Sequence, residues 1–357
     1  MKRMKKGLSL ILACLVLLLG IGNTFGMIAY AESVIEIDTA SELRKIGVDA
    51  EYPLTGSYKL TADIDLSGTT WTVIGGIFSG VFDGNGHTIS GMTSGSPDAP
   101  YTTTSGWGIF TELSGTVKNL KLEDLYFNVG AAGGEKPVGG ICGYIRDGAV
   151  VENVYMSGSI TDVTSHQVRA GAIAGSARSA FTIKNCYIDV DITGGYGDSA
   201  SDRQAGIAGL VGSTKQTGTI SDCVYVGDVT LTTGGYAGAL VSEYRGSSVP
   251  DGLVVTNAYY SGTVSCSGGT LLNDGVGTVI TEEQLNYGYL AGKLSSAWTV
   301  ESGNPPYLTA LGGATAIEID TAEELRKIGV DASYPLTGKY KLTDDIDLSE
   351  TTWKVIG

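Results

Sequence analysis

The sequence predicts an all-β protein: a parallel β-helix, or solenoid, of coils about 32–37 residues long, with short capping helices at its ends. Three observations carry that prediction. Glycine supplies 53 of the 357 residues while only 17% are charged and 42% are hydrophobic, against roughly 7% glycine and 25% charged in an average chain. Four units open on glycine-bracketed small residues, GGICG (139–143), GAIAG (171–175), AGLVG (208–212) and GALVS (238–242), and each runs into a β-like stretch. Within those stretches an amide or carboxylate recurs as Asn153, Asn185, Asp222 and Asn257, with Asn119 as an earlier member, at spacings of 34, 32, 37 and 35 residues. Periods of that size signal stacked coils or propeller blades, and no WD or kelch punctuation is present. Collagen is excluded because no Gly-X-Y period exists and proline is scarce, at 8 residues. Disorder is excluded by the hydrophobic content. The formal net charge of −15 makes nucleic acid an unsuitable partner, because phosphate binding needs clustered cations.

The chain opens with four cations in residues 2–6, an apolar run from Leu8 to about Ile21, and Ala29-Tyr30-Ala31. This is the pattern of a secretory signal peptide cleaved after Ala31. A retained signal anchor is the alternative, but the run is short for a span. Ile11-Leu12-Ala13-Cys14 resembles a lipoprotein box only faintly, since the apolar run continues past the cysteine. No other stretch is long and apolar enough to span a membrane. Without residues 1–31 the chain keeps 19 Lys and Arg against 38 Asp and Glu, a net charge of −19.

Residues 32–312 are expected to form one module. At its start Thr39 and Glu42 supply a capping box, Ala40, Leu43 and Ile46 an apolar stripe, and Gly47 a helix stop. YKLTADIDLS follows, with Tyr58, Leu60, Ile64 and Leu66 on one face. FDGNGHTI reads as strand, tight Gly/Asn turn, strand. In the coils, the residue after the Asn column is Val154, Cys186, Cys223 or Ala258, and two places before it stand Val151, Ile183, Ile220 and Val255. Both columns are apolar and expected inside. The Asn column suits a bend, because Asn tolerates left-handed backbone and its amide can bond to the Asn of the next coil. Thr281 to Gln284 begins a second helix that leads to Trp298 and the NPPYL stop, read as the closing cap. Residues 313–357 are expected to start a second module: Ile317–Gly357 repeats Ile35–Gly75 with 35 of 41 positions identical, differing at positions 41, 51, 57, 62, 68 and 72 of the first copy. The sequence is therefore expected to be a fragment of a longer tandem protein.

The segments D-T-A-x-E-L, Y-K-L-T-x-D-I-D-L, W-x-V-I-G and F-D-G-N-G-H-T-I, followed by G-[IL]-x-G and N-x-Y units, resemble the GLUG-motif family of modular bacterial surface proteins. The same motifs occur in proteins with an IgA-protease-type region. Gly209-Leu210-Val211-Gly212 matches the name motif directly, and Ser242 replaces its last glycine in the fourth unit. The resemblance covers nearly all of 35–357. It implies a β-helical extracellular module and brings no catalytic residues.

Catalysis on a β-helix would need paired carboxylates, or calcium-binding Asp with a basic residue. Asp63/Asp65, Asp189/Asp191 and Asp83 are the candidates, and Asp63/Asp65 are also explained as a solvated strand face. His87 follows a turn and His166 lies in a polar loop. No serine-hydrolase, zinc-protease or phosphate-loop motif is present, and no metal or cofactor is expected. Cys186 and Cys223 share a column but suit buried free thiols better than a disulfide. Tyr155, Tyr187 and Tyr259 share another column, with Tyr225 one place out of register. Arg146, Arg178, Lys215 and Arg245 each fall three residues after a glycine-bracketed unit, which would stack four cations as a ligand-binding stripe for an anionic glycan or wall polymer, unless they splay and neighbours such as Asp147 and Glu243 neutralise them. The expected role is a non-catalytic, secreted or surface-displayed module for adhesion or glycan binding. The alternatives are a β-helical polysaccharide lyase or glycoside hydrolase, and a passive stalk of a larger surface peptidase.

Overall fold

The computed structural model describes residues 33–131, 135–164, 167–196, 205–243, 251–272, 276–312, 317–330, 334 and 340–348. The chain divides into two compact units, Met1–Ser33 and Val34–Gly357. Of the first only Ser33 is described, so the signal segment and its cleavage residue Ala31 lie outside the described residues, as do His166 and Arg245.

The second unit is a β-solenoid of about five turns, with about 33 residues per turn. Its spine is one parallel sheet whose main run is β1 (Ile35–Ile37), β2 (Ser57–Leu60), β3 (Val81–Asp83), β4 (Thr116–Ala131), β5 (Ala149–Thr164), β6 (Phe181–Tyr196), β7 (Gly218–Tyr225), β8 (Leu253–Tyr260) and β9 (Thr278–Val279). Register is uninterrupted along one inward column. Ile35 pairs with Tyr58, Tyr58 with Phe82, Phe82 with Val117, and the line continues through Val151, Ile183 and Ile220 to Val255. Two further parallel sheets complete each turn. One holds Val138–Gly139, Arg169–Gly171, Ala205–Ala208, Gly235–Gly238 and Thr270–Leu272, and the other Ile74–Phe78, Phe110–Leu113, Cys142–Ile145 and Ala174–Ala177.

Both apolar columns point inward: Val154, Cys186 and Cys223 are fully buried and Ala258 nearly so, and Val151, Ile183 and Ile220 line the same core. The glycine-bracketed units lie where coils come closest. A Cβ on Gly171 would sit 2.6 Å from the Gly212 amide nitrogen of the next coil, a distance no side chain tolerates. The four described cysteines, Cys142, Cys186, Cys223 and Cys266, are free, and burial pushes the Cys223 thiol well up.

Helix α1 (Ala40–Leu43) stands on the first coil with Leu43 and Ile46 buried. Thr39 Oγ1 accepts the Glu42 amide, while Glu42 Oε2 accepts both the Asp38 amide and the Thr39 hydroxyl, each at 3.1 Å. The alternation in 58–66 holds, with Tyr58, Leu60, Ile64 and Leu66 at most 2% exposed. FDGNGHTI behaves differently from a self-paired turn. Val81–Asp83 and Thr88–Ser90 do not pair with each other; both pair in parallel with β4, so Asn85-Gly86 is a coil corner. The second copy repeats the start of the first: Ile317, Glu318 and Ile319 pair with Tyr340, Lys341 and Leu342 in the register of β1 on β2, and Thr321 caps Ala322–Lys327 by accepting the Glu324 amide.

The closing segment departs most from expectation. Helix α2 (Glu282–Asn286) has the full capping box between Thr281 and Gln284. The chain beyond it, however, does not close the end of the coils. It turns back as a strap along the outer face of the spine, through the antiparallel pair Trp298–Thr299 and Tyr307–Leu308 and a short 3-10 turn at Thr309–Leu311 that reaches β4 and β5. An apolar outer face on β6–β8 explains the detour: Tyr187, Val224 and Tyr259 form a second core, outside the coils, with Leu285, Trp298 and Leu308 of the strap.

Candidate functional site

The Asn column forms the corner of each coil. Asn119, Asn153, Asn185, Asp222 and Asn257 all have φ between 49° and 53°, the left-handed region in which Asn and Asp are the least strained residues after glycine. Asn119 donates to Asp83 Oδ1 at 3.0 Å, Asn153 to Asn119 Oδ1 at 3.0 Å, and Asn257 to Asp222 Oδ1 at 3.2 Å. Between them the strap is hooked on. The Ser295 hydroxyl donates to Asn185 Oδ1 at 2.8 Å, the Ser295 amide to Asp222 Oδ1 at 2.9 Å, and the Trp298 indole to the Asp222 carbonyl at 3.1 Å. One column therefore bends the chain and anchors the strap.

The basic stripe is in register. Ile145 pairs with Ala177 and Ala177 bridges Thr214, which places Arg146, Arg178 and Lys215 on successive coils. Each meets a carboxylate. Arg146 Nε lies 2.6 Å from Glu112 Oε2, Arg178 3.4 Å from Glu135 Oε1, and Lys215 Nζ 2.6 Å from Glu243 Oε1. The Tyr144 ring lies under both guanidinium groups, 3.8 Å from that of Arg178 and 5.6 Å from that of Arg146. Glu135 also binds Arg169 at 2.6 Å. A row of carboxylates thus runs beside the row of cations and removes the like-charge repulsion that stacking would otherwise cause.

The other predicted carboxylates separate into used and unused groups. Asp63 accepts His87 Nδ1 at 3.0 Å and the Thr88 amide at 2.9 Å, and those bonds hold its carboxyl below the usual range. Asp65 accepts the Ser67 amide, Asp83 the Asn85 amide and the Asn119 side chain, and Asp191 the Asp228 amide. Asp189 has no hydrogen-bond or ion-pair partner among the described residues. The same is true of Glu123, which lies on the same outward side of the spine and was not singled out from the sequence.

These two carboxylates face one cleft of about 580 Å³ between the outer face of the spine and the strap. Its floor is built from two outward columns, two and four places beyond the Asn column. Lys121, Tyr155, Tyr187, Val224 and Tyr259 stack in the first; Ser157 pairs with Asp189 in the second, where Glu123 and Val226 also face the cleft. Its roof is α2 with Tyr287 and residues 303–308. The Tyr155 and Tyr187 rings stack at 5.7 Å, and Trp298 of the strap lies 6.4 Å from Tyr187. Tyr225, one place out of register, points inward and donates to the Val190 carbonyl at 3.0 Å. Burial pushes the Tyr155 hydroxyl up to about 12 and that of Tyr187 higher. Tyr187 is 9% exposed, and its hydroxyl makes no hydrogen bond among the described residues. Burial likewise raises Glu123, against the pull of Lys121, and raises Asp189, which Asp191 pushes further in the same direction. Alternation in the runs KLE (121–123), YMS (155–157) and YID (187–189) marks the floor in sequence. Nothing local marks the roof, which begins at Glu282, 93 residues after Asp189.

Among the described residues no helix is long and apolar enough to cross a membrane, and no cluster of His, Cys, Asp and Glu has the arrangement of a metal site. No family model matches the chain, and no curated protein matches it. A solved structure that does resemble it is a candidate immunoglobulin A1 protease from Bacteroides ovatus, with a TM-score of 0.52 and 18% identity over 78% of this chain and 93% of that one. At that identity the likeness shows the fold alone.

Proposed function

We propose that the chain is an exported, non-catalytic β-helical module of a bacterial surface protein that binds a carbohydrate chain in the cleft beneath the strap. The observation that carries this reading is the pairing of stacked tyrosines with carboxylates that have no internal partner. Aromatic faces accept the C–H faces of sugar rings, and carboxylates accept sugar hydroxyls. Export is supported by the charged, apolar and A-x-A segments of residues 1–31. The stripe at Arg146, Arg178 and Lys215 is the lesser candidate, because an anionic polymer there would have to displace Glu112, Glu135 and Glu243. The test is a glycan array followed by titration. Tyr155→Ala with Tyr187→Ala should weaken the best glycan by about tenfold or more, and Arg146→Ala with Arg178→Ala should leave it unchanged. The reverse pattern would return the site to the stripe.

One observation favours a second reading, a polysaccharide lyase or glycoside hydrolase: Glu123 and Asp189 share the cleft with Lys121, and burial raises both carboxyls toward the range of a general acid. Release of new reducing or unsaturated ends from a bound glycan, abolished by Glu123→Gln or Asp189→Asn, would establish catalysis. Binding without release leaves the non-catalytic reading in place.

A further inference from the structure

The following rests on the reading that the cleft takes a carbohydrate, and it names the class. We propose that the ligand is an extended polymer of amino sugars, held by its protonated amines at Asp189 and Glu123 with its rings against the Tyr155–Tyr187 stack. Four carboxylates line the cleft, Glu123, Asp189, Asp228 and Glu282, against the single cation Lys121. Asp228 is committed to the Thr263 amide and hydroxyl, at 2.7 and 2.8 Å. Glu123 and Asp189 are half-buried with no such commitment among the described residues, and Tyr187, a side chain 9% exposed beside them, has a hydroxyl that makes no hydrogen bond among those residues.

A neutral sugar would displace water from those carboxylates and leave both charges without a counter-charge, the costly outcome for buried ions. An ammonium group supplies the counter-charge and three donors at once, and the tyrosine faces attract the same cation. Lys121 beside Glu123 offsets part of that charge, whereas Asp189 feels the like charge of Asp191. Asp189 therefore carries the larger share. A sugar chain fits better than a basic peptide because the Tyr155 and Tyr187 rings are 5.7 Å apart, close to the advance of one sugar residue in an extended chain. A lysine side chain offers no ring to stack.

The test is calorimetric titration of the full chain at about pH 6, where amines of this kind keep their protons. The probes are a glucosamine hexamer, its fully N-acetylated counterpart, and a hexalysine peptide. The glucosamine hexamer should bind at least about tenfold more tightly than the acetylated one. Asp189→Asn should remove most of that difference, Glu123→Gln less of it, and Arg146→Ala none. Equal affinity for the two hexamers, weakened in both by Tyr155→Ala, would overturn the amine contact and leave the carbohydrate reading standing. Tighter binding of hexalysine with the same Asp189 dependence would overturn it in favour of a basic peptide. Absence of binding by either sugar would remove both the proposal and the reading beneath it. If a variant does not fold, the comparison of the two hexamers on the unaltered chain still decides.

Discussion

At the residue scale, the account turns on polar groups whose backbone or burial leaves them little choice. Asn153 has φ of 53° and donates to Asn119. Left-handed backbone costs a residue with an ordinary Cβ about 1–2 kcal/mol, and the side-chain bond adds roughly 1 kcal/mol. Asn153→Ala should therefore destabilise the protein by about 1–3 kcal/mol, and Asn153→Gly, which removes only the bond, by less. Denaturant titration of the two variants checks the order. Asp162 is a second such group. It is fully buried, its Oδ2 accepts the Arg169 amide at 3.3 Å, and its Oδ1 has no partner among the described residues. Burial raises its carboxyl well above the ordinary value. The folded state therefore binds the proton more tightly than the unfolded state, and the stability that Asp162 contributes is lost as pH rises above the unfolded value of ~3.9 toward the raised one. Asp162→Asn should raise the melting temperature at neutral pH and flatten its dependence on pH across that window. A steeper dependence in the variant would contradict this assignment.

At the scale of elements, the strap differs from the coils in how it is held. The spine strands share a continuous inward column, whereas the strap rests on the Asn185–Asp222 hooks and on the contacts of Trp298, Leu285 and Leu308. Trp298→Ala removes the indole bond to the Asp222 carbonyl together with the contact with Tyr187. The expected cost is about 3 kcal/mol or more, confined to the strap. Hydrogen exchange should show lost protection over 281–311 with the amides of β4–β7 unchanged. Loss throughout the chain would mean that strap and coils unfold together. The sequence was sufficient for α2, because Thr281 and Gln284 carry a local signal. It was not sufficient for where the following chain goes, since the outward tyrosine column that attracts the strap is a property of stacked coils. FDGNGHTI shows the same limit on a smaller scale: Asn85-Gly86 announces a turn, but parallel pairing of both flanks with β4 depends on a strand some 30 residues later.

For the whole molecule, repetition does most of the specifying. An apolar residue two before each Asn, a small one after it, and glycines at the corners recur often enough for the solenoid, its inward columns and its corners to be legible from sequence. The stripe of Arg146, Arg178 and Lys215 was legible as a row, and so was Glu243 as a neutralising neighbour, but the other partners were not: Glu112 lies 34 residues before Arg146 and Glu135 43 residues before Arg178. The candidate site was half legible. Asp189 and the tyrosine column stood out, while Glu123 and the roof required the stacking itself. The two faces differ, with one wall where charges satisfy each other and another where the Glu123 and Asp189 carboxylates have no such partner among the described residues. Hydrogen exchange of the full chain with and without a saturating glucosamine hexamer tests that division most directly. Protection should rise at residues 121–123, 187–189 and 303–308, with no change around Arg146 and Arg178. Protection around Arg146 and Arg178, with the cleft unchanged, would contradict the account.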